Sequence, residues 1–146
     1  MVESTHSQGP NIFPELVYED APAAITWLSG AFGFIPGERI DAPDGAVVHA
    51  EMHFGPGTIM LKSPVRKSEH GIAAPDFGQS PRMLGGISHT LYVAVSDPDS
   101  QFRRACAAGA DPLMAPKDTD FGARMCVVRD PEGHVWCFGN YWPRRA

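Results

Sequence analysis

The sequence predicts an α+β fold made of two tandem copies of one unit: strand, helix, strand, strand, strand. Three observations predict it. First, Tyr18-Glu19-Asp20-Ala21-Pro22-Ala23-Ala24-Ile25 is echoed by Val95-Ser96-Asp97-Pro98-Asp99-Ser100-Gln101-Phe102; in each, an apolar run ends at an Asp, a Pro follows within two residues and a helical pattern begins. Second, each helical pattern closes on a glycine, in Ala31-Phe32-Gly33-Phe34 and in Ala107-Ala108-Gly109-Ala110. Third, residues 46–63 match 123–139 as strand, turn, strand, with turns at Gly55-Pro56-Gly57 and Asp130-Pro131-Glu132-Gly133. An internal repeat limits the fold because each copy must be one supersecondary unit.

The elements follow in order. Residues 1–11 read as a disordered polar tail, and residues 12–63 as the first copy. Its first strand is the apolar-rich run Ile12 to Tyr18, with an irregular start at Pro14. Asp20 caps the following helix, since its carboxylate can accept from free amides of the first turn. Ile25, Leu28 and Phe32 recur at helical spacing, Trp27 is placed in the core beside them, and Gly33 ends the helix in a left-handed cap. Asp44-Gly45 marks a hairpin turn. The strand Val47 to Phe54 alternates, with Val48, Ala50, Met52 and Phe54 on the core face and Val47, His49, Glu51 and His53 on the other. Thr58 to Lys62 closes the copy. Residues 64–86, rich in Gly, Pro, Ser and charge, read as a linker loop. The second copy, 87–142, holds a strand at His89–Val95, a helix from Pro98 to Ala108 capped by Asp97, and a stop at Gly109. Strands near Pro112–Ala115, Ala123–Arg129 and His134–Tyr141 follow, and 143–146 form a tail.

Bulk properties exclude several classes. At 146 residues, 43% hydrophobic and 20% charged, the chain is globular in composition and long enough for one domain or two half-domains sharing a core. A net charge of −5 argues against nucleic acid or an anionic membrane as partner. No apolar run approaches a membrane span, and the N-terminus lacks the basic and apolar regions of a signal peptide. Cys106, Cys126 and Cys137 form no CxxC pair and are odd in number, which fits reduced thiols in the cytoplasm. No Cys–His–acid spacing supports a nucleophile, and no Gly-rich loop supports phosphate binding.

The chain resembles the vicinal oxygen chelate superfamily, the family of glyoxalase I, bleomycin-resistance proteins and extradiol dioxygenases, and within it the small glyoxalase-like members. The resemblance is carried by residues 18–28, Ala31-Phe32-Gly33-Phe34 and Val48-His49-Ala50-Glu51 in the first copy. In the second it is carried by residues 91–97, Phe121-Gly122-Ala123-Arg124 and, most specifically, residues 129–139. It spans residues 12–142. It implies the glyoxalase/bleomycin resistance fold, two βαβββ modules whose curved mixed sheets surround a cavity, paired in a homodimer. A homodimer is also expected because open curved sheets leave edges and apolar faces to cover.

Metal-dependent relatives hold a divalent ion on four strand positions, one on the first and one on the last strand of each module. Here the resemblance places these at Phe13, at Met60 or Leu61, at Thr90 and at Cys137. None offers a carboxylate or imidazole, so no metal or other cofactor is expected. His89 neighbours Thr90 but takes the opposite strand face unless a bulge intervenes. His49, Glu51 and His53 share a strand face, yet neighbours two apart lie roughly 6.5–7 Å apart along a strand. That face reads as half-solvated and polar, or, for His49 and Glu51, as polar groups lining a ligand cavity.

Strand parity then gives a cavity lining of Phe13, Glu15, His49, Glu51, Met60, Thr90, Tyr92 and Cys137, with Tyr141 and Trp142 closing a rim. This apolar, aromatic lining with few polar points suits a flat organic ligand. Trp136 is expected beneath the helix, Arg124 and Asp130 as a structural ion pair, and Cys106 as an inert helix residue. The first functional reading is a metal-independent binding protein of the bleomycin-resistance kind, sequestering a planar, largely apolar antibiotic or natural product. The alternative is an isomerase, lyase or cyclase in which Glu51 and His49 act as general base and acid. A metal-dependent lyase or dioxygenase is third. The sequence does not separate the first two.

Overall fold

The computed structural model describes residues 9–65 and 78–144. Most of the N-terminal tail, the middle of the expected linker and the last two residues lie outside that range. Strands and helices run β1 (Glu15–Val17), α1 (Ala21–Phe32), β2 (Ile35–Asp41), β3 (Val47–Phe54), β4 (Gly57–Lys62), α2 (Pro81–Leu84), β5 (Leu91–Ala94), α3 (Pro98–Ala107), β6 (Asp111–Asp118), β7 (Arg124–Arg129) and β8 (Val135–Gly139). The βαβββ order occurs twice, as expected. The chain divides into two compact units: residues up to Ser29 with Gly33–Ser80, and Gly30–Phe32 with the residues from Pro81 onward.

In the first unit, α1 starts where the chemistry of Asp20 allows. Its carboxylate accepts from the Ala23 N–H at 3.1 Å, and a proline follows where the helix needs no N–H. Gly33 ends it at φ 91°, a left-handed conformation that an L side chain resists. The sheet has order β1-β4-β3-β2, with β1 parallel to β4 and the other pairs antiparallel. One face buries Leu16, Ala50, Met52, Ile59 and Leu61. The helix buries Ala21, Ala24, Ile25, Leu28 and Ala31.

Several expectations for this unit are corrected. Trp27 is half-buried rather than core; at about 100° per residue it stands roughly 40° outside the buried stripe, whose nearest edge is Ala31. Val47 is buried and Val48 is 57% exposed, the reverse of the expected alternation. The cause is a bulge: Ile40 pairs with His49 but Asp41 with Val47, which leaves Val48 unpaired and flips the parity of everything before it. Phe54 is half-buried, its ring 5.3 Å from that of Phe34. β1 is three residues rather than seven, although the Pro14 carbonyl still accepts from the Met60 N–H at 2.8 Å. The expected linker contains α2, one turn begun by Pro81 and too short for a periodic signal.

In the second unit the sheet order is β5-β8-β7-β6, again with a parallel first pair. All five residues of β8 are buried. Phe32 packs edge-on against Trp136 and Phe138, with ring centroids 5.2 and 4.9 Å apart, so Trp136 is core as expected. Asp97 caps α3 by accepting from the Ser100 N–H at 3.1 Å. β6 runs longer than expected because it is an edge strand whose register shifts accommodate Pro112 and Pro116.

The expected Arg124–Asp130 ion pair does not form. Six residues along an extended chain separate them by about 20 Å. Arg124 instead clasps Asp99 through two bonds of 2.7 and 2.9 Å and reaches Asp118 at 3.1 Å. Asp130 is 3% exposed and organises the β7–β8 turn. Its carboxylate accepts from the N–H groups of Glu132 (3.1 Å) and His134 (3.0 Å) and from the Trp136 indole N–H (3.0 Å). The residue-type pattern of 130–136 is therefore one hydrogen-bonded knot.

Candidate functional site

The non-core face of the first sheet is set by register. Glu15 pairs with Met60, and Met60 with Glu51, so these three form one row across β1, β4 and β3. This resolves the choice at the closing strand: Met60 lies on the Glu51 face, whereas Leu61 is wholly buried in the core. Three polar pairs cover the face. Glu15 Oε1 lies 2.7 Å from Lys62 Nζ. His49 Nε2 and Glu51 Oε2 approach to 2.8 Å, each side chain about 30% exposed. His53 Nδ1 and Thr58 Oγ1 are 2.8 Å apart. The His53 ring also lies against Gly37, where any Cβ would collide with it.

The His49–Glu51 pair has a chemical consequence. An ionised carboxylate only accepts, so Nε2 carries the shared proton, and neutral His49 keeps its lone pair on Nδ1. That is the arrangement of an imidazole oriented by an acid, able to take a proton from a bound molecule. His53 does not join the pair, because Thr58 holds it. Among the described residues no three His, Cys, Asp or Glu side chains gather as around a metal ion.

The second sheet presents a different surface at the same register. Tyr92 pairs with Cys137, Cys137 with Val127, and Met125 with Gly139. The Tyr92 ring lies over Gly139, which has no room for a Cβ. The Tyr92 hydroxyl donates to the Tyr141 carbonyl at 2.7 Å and accepts from the Tyr141 N–H at 3.0 Å. It thereby fixes the C-terminal segment, and burial raises its pKa. Burial also raises the thiols of Cys137 and Cys106, and pushes Cys126 up to about 11, so all three rest protonated at neutral pH.

Beside the fixed segment lies a cleft of about 330 Å³, lined by Phe121, Asn140, Tyr141, Trp142, Arg144 and backbone at 122–123. The Phe121 and Tyr141 rings meet edge to face, with centroids 6.3 Å apart at 84°.

The model of the Glyoxalase/Bleomycin resistance protein/Dioxygenase superfamily matches residues 12–138. The chain belongs to this superfamily. An uncharacterized protein of Mycobacterium tuberculosis is 36% identical over 131 residues, 90% of this chain and 74% of that protein. Among solved structures, TioX from Micromonospora sp. ML1 aligns with a TM-score of 0.71 at 31% identity, over 92% of this chain and 100% of TioX. A glyoxalase/bleomycin resistance protein/dioxygenase family enzyme from Burkholderia phytofirmans PsJN shares the fold, with a TM-score of 0.63 at 20% identity over 87% of this chain and 94% of its own.

In this glyoxalase-superfamily chain, the positions that the sequence resemblance assigns to metal ligands carry a phenyl ring (Phe13), a thioether (Met60), a hydroxyl (Thr90) and a protonated thiol (Cys137). This donor set does not fit a divalent ion. Phe13 and Thr90 fall just outside β1 and β5, and both are exposed. His89 is exposed too, and the β5–β8 ladder has no bulge to turn it. Of the residues read from the sequence, the first sheet gathers Glu15, His49, Glu51 and Met60. The second sheet gathers Tyr92 and Cys137, with Tyr141 and Trp142 at the cleft. Sequence reasoning missed Lys62, Gly139, Phe121 and Arg144. Lys62 and Gly139 share parity with Met60 and Cys137 and were reachable by alternation; Phe121 and Arg144 sit in non-periodic segments.

Proposed function

We propose that the chain is a metal-independent binding protein of the glyoxalase/bleomycin resistance type, sequestering a planar, largely apolar antibiotic or natural product. The observation that carries this reading is the cleft of about 330 Å³ in the second unit, walled by Phe121, Tyr141 and Trp142. The neighbouring sheet face of Tyr92, Cys137, Val127 and Met125 supplies no reactive group. Small-ligand sites are concave and combine apolar walls with polar points that fix orientation; this cleft sets three aromatic rings beside Asn140 and Arg144. The working unit in this reading is a homodimer in the reducing cytoplasm. Free thiols at all three cysteines support the compartment. Exposed Ile12, Ile35, Ile40 and Val48 support a covered surface. No helix among the described residues is long and apolar enough to cross a membrane.

Trp142 is 54% exposed at the cleft, Trp27 is half-buried in the first unit and Trp136 is buried, so the Trp142 share of the indole fluorescence, isolated by comparison with Trp142→Phe, reports occupancy. A panel of planar polycyclic compounds is expected to give saturable quenching that a chelator leaves unchanged and Tyr92→Ala weakens. No saturable quenching by any member of the panel overturns the reading. One observation favours a second reading, an isomerase, lyase or cyclase: the 2.8 Å contact of His49 and Glu51. That reading requires ligand conversion, detected by chromatography and abolished by Glu51→Gln with binding retained.

A further inference from the structure

We propose that the second-unit cleft selects an aromatic carboxylate over a neutral aromatic of the same shape; this deepens the binding reading and rests on it. The argument starts from what lines the cleft. Phe121, Tyr141 and Trp142 are 68%, 52% and 54% exposed, three large rings around one cavity. Their faces and edges offer stacking to a flat partner. A volume of about 330 Å³ lies at the small end of ligand sites, which run from about 300 to 1,000 Å³. A ligand of one or two fused rings fits that scale.

The polar side chains are the selective feature, because donors outnumber acceptors among them. Arg144 carries five N–H groups and no acceptor, and the Trp142 indole N–H only donates. The Asn140 side-chain oxygen already accepts from the Arg124 backbone N–H at 2.8 Å, so the uncommitted part of that side chain is its donating NH₂. The Ala123 backbone is also committed. Its N–H goes to the Thr119 hydroxyl at 3.1 Å, and its carbonyl accepts from the Thr119 N–H at 2.7 Å and hydroxyl at 2.9 Å. Among the described residues no Asp or Glu lines the cleft; Asp120 adjoins Phe121 in sequence but is not part of the wall. The Tyr141 hydroxyl can serve either way. A donor-rich, carboxylate-free cleft with a guanidinium at its rim matches a ligand that only accepts, and Arg binds a planar carboxylate through two parallel bonds. This cationic point stands out on a chain of net charge −5.

The test compares 2-naphthoate with 2-naphthamide, by calorimetry and Trp142 quenching at low salt, on the full chain and on Arg144→Gln and Phe121→Ala. Arg144 is an exposed side chain in the C-terminal segment, so its variant folds normally. The expected result is a naphthoate preference of roughly two- to fivefold, since the pair is exposed. Added salt and Arg144→Gln should each erase it, while Phe121→Ala weakens both probes alike. Equal affinity for the two probes, or a preference that survives Arg144→Gln, overturns the proposal while leaving the binding reading intact. Failure of both probes to bind at millimolar concentration overturns the proposal and counts against the binding reading as well.

Discussion

Gly139→Ala should damage the chain more than its size suggests, because it strikes the residue that fixes the C-terminal segment. A Cβ at position 139 would lie 2.7 Å from Tyr92 Oη, 3.0 Å from Tyr92 Cε2 and 2.8 Å from Met125 Cγ. Ordinary contacts begin near 3.5 Å, so the phenol must retreat by roughly 0.8 Å. Its two bonds to the Tyr141 backbone, at 2.7 and 3.0 Å, cannot both follow. Two hydrogen bonds at about 1 kcal/mol each, with overpacking of about 1–3 kcal/mol, put the loss at about 3–5 kcal/mol. Tyr92→Phe keeps the ring and loses only the bonds. It should cost about 1–2 kcal/mol, toward the low end because water can replace a partner at the half-exposed Tyr141. The double variant removes the hydroxyl that clashes after its bonds are already gone, so it should cost less than the sum by about 1 kcal/mol or more. Urea unfolding followed by tryptophan fluorescence measures all three, with equal m-values required for the comparison. Additivity within about 0.5 kcal/mol, or a Gly139→Ala midpoint equal to that of the parent chain, would refute the reasoning.

Asp130→Ala leaves three N–H donors without their carboxylate, two of them at buried residues, and should destabilise by about 3–5 kcal/mol in the same assay; a loss under about 1 kcal/mol would mean the turn holds without it. Burial raises the Cys126 thiol from 9.0 to about 11. A raised folded-state value means its contribution is fully present below pH 9 and is lost as pH climbs toward 11. Under reducing conditions the unfolding midpoint should fall across that window, and Cys126→Ala, whatever its cost at neutral pH, should flatten the fall; an unchanged slope removes Cys126 as the cause. Light scattering over a range of concentrations should show a homodimer, and a 15.8 kDa species throughout would rule it out.

What the sequence disclosed was whatever local chemistry decides. Asp20 and Asp97 each stand immediately before a helical pattern with a proline in its first turn, where a carboxylate can accept from the first-turn amides, as both do. The face shared by Glu15, Met60 and Glu51 followed from a period of two that holds wherever a strand is unbroken. The failures lie where partners come from elsewhere in the chain. Val47 and Val48 exchange faces because of a bulge against β2, which alternation along β3 alone does not reveal. Arg124 finds Asp99 on α3 and Asp118 on β6, so its partners depend on how separate elements pack. Trp27 stands just off a helical stripe, where a small angle decides burial. The cleft itself is built from a turn and a C-terminal segment, neither of which carries any period to read.

The two sheets, compared strand by strand, carry different chemistry on their open faces. Glu15, Met60 and Lys62 of the first unit correspond to Tyr92, Cys137 and Gly139 of the second, and His49 and Glu51 to Met125 and Val127. The correspondence follows because Glu51 pairs with Met60 as Val127 pairs with Cys137, and Glu15 pairs with Met60 as Tyr92 pairs with Cys137. Where the first unit closes an ion pair between Glu15 and Lys62, the second lays a phenol ring over a bare glycine. Where the first sets an imidazole against a carboxylate, the second has a thioether and an isopropyl group. One copy of the repeat carries charge on its open face. The other presents apolar surface there, and its Tyr92 hydroxyl is tied to the segment that walls the aromatic cleft. On the binding reading proposed above, recognition of a flat ligand would fall to the second copy, and on the alternative reading proton transfer would fall to His49 and Glu51 in the first.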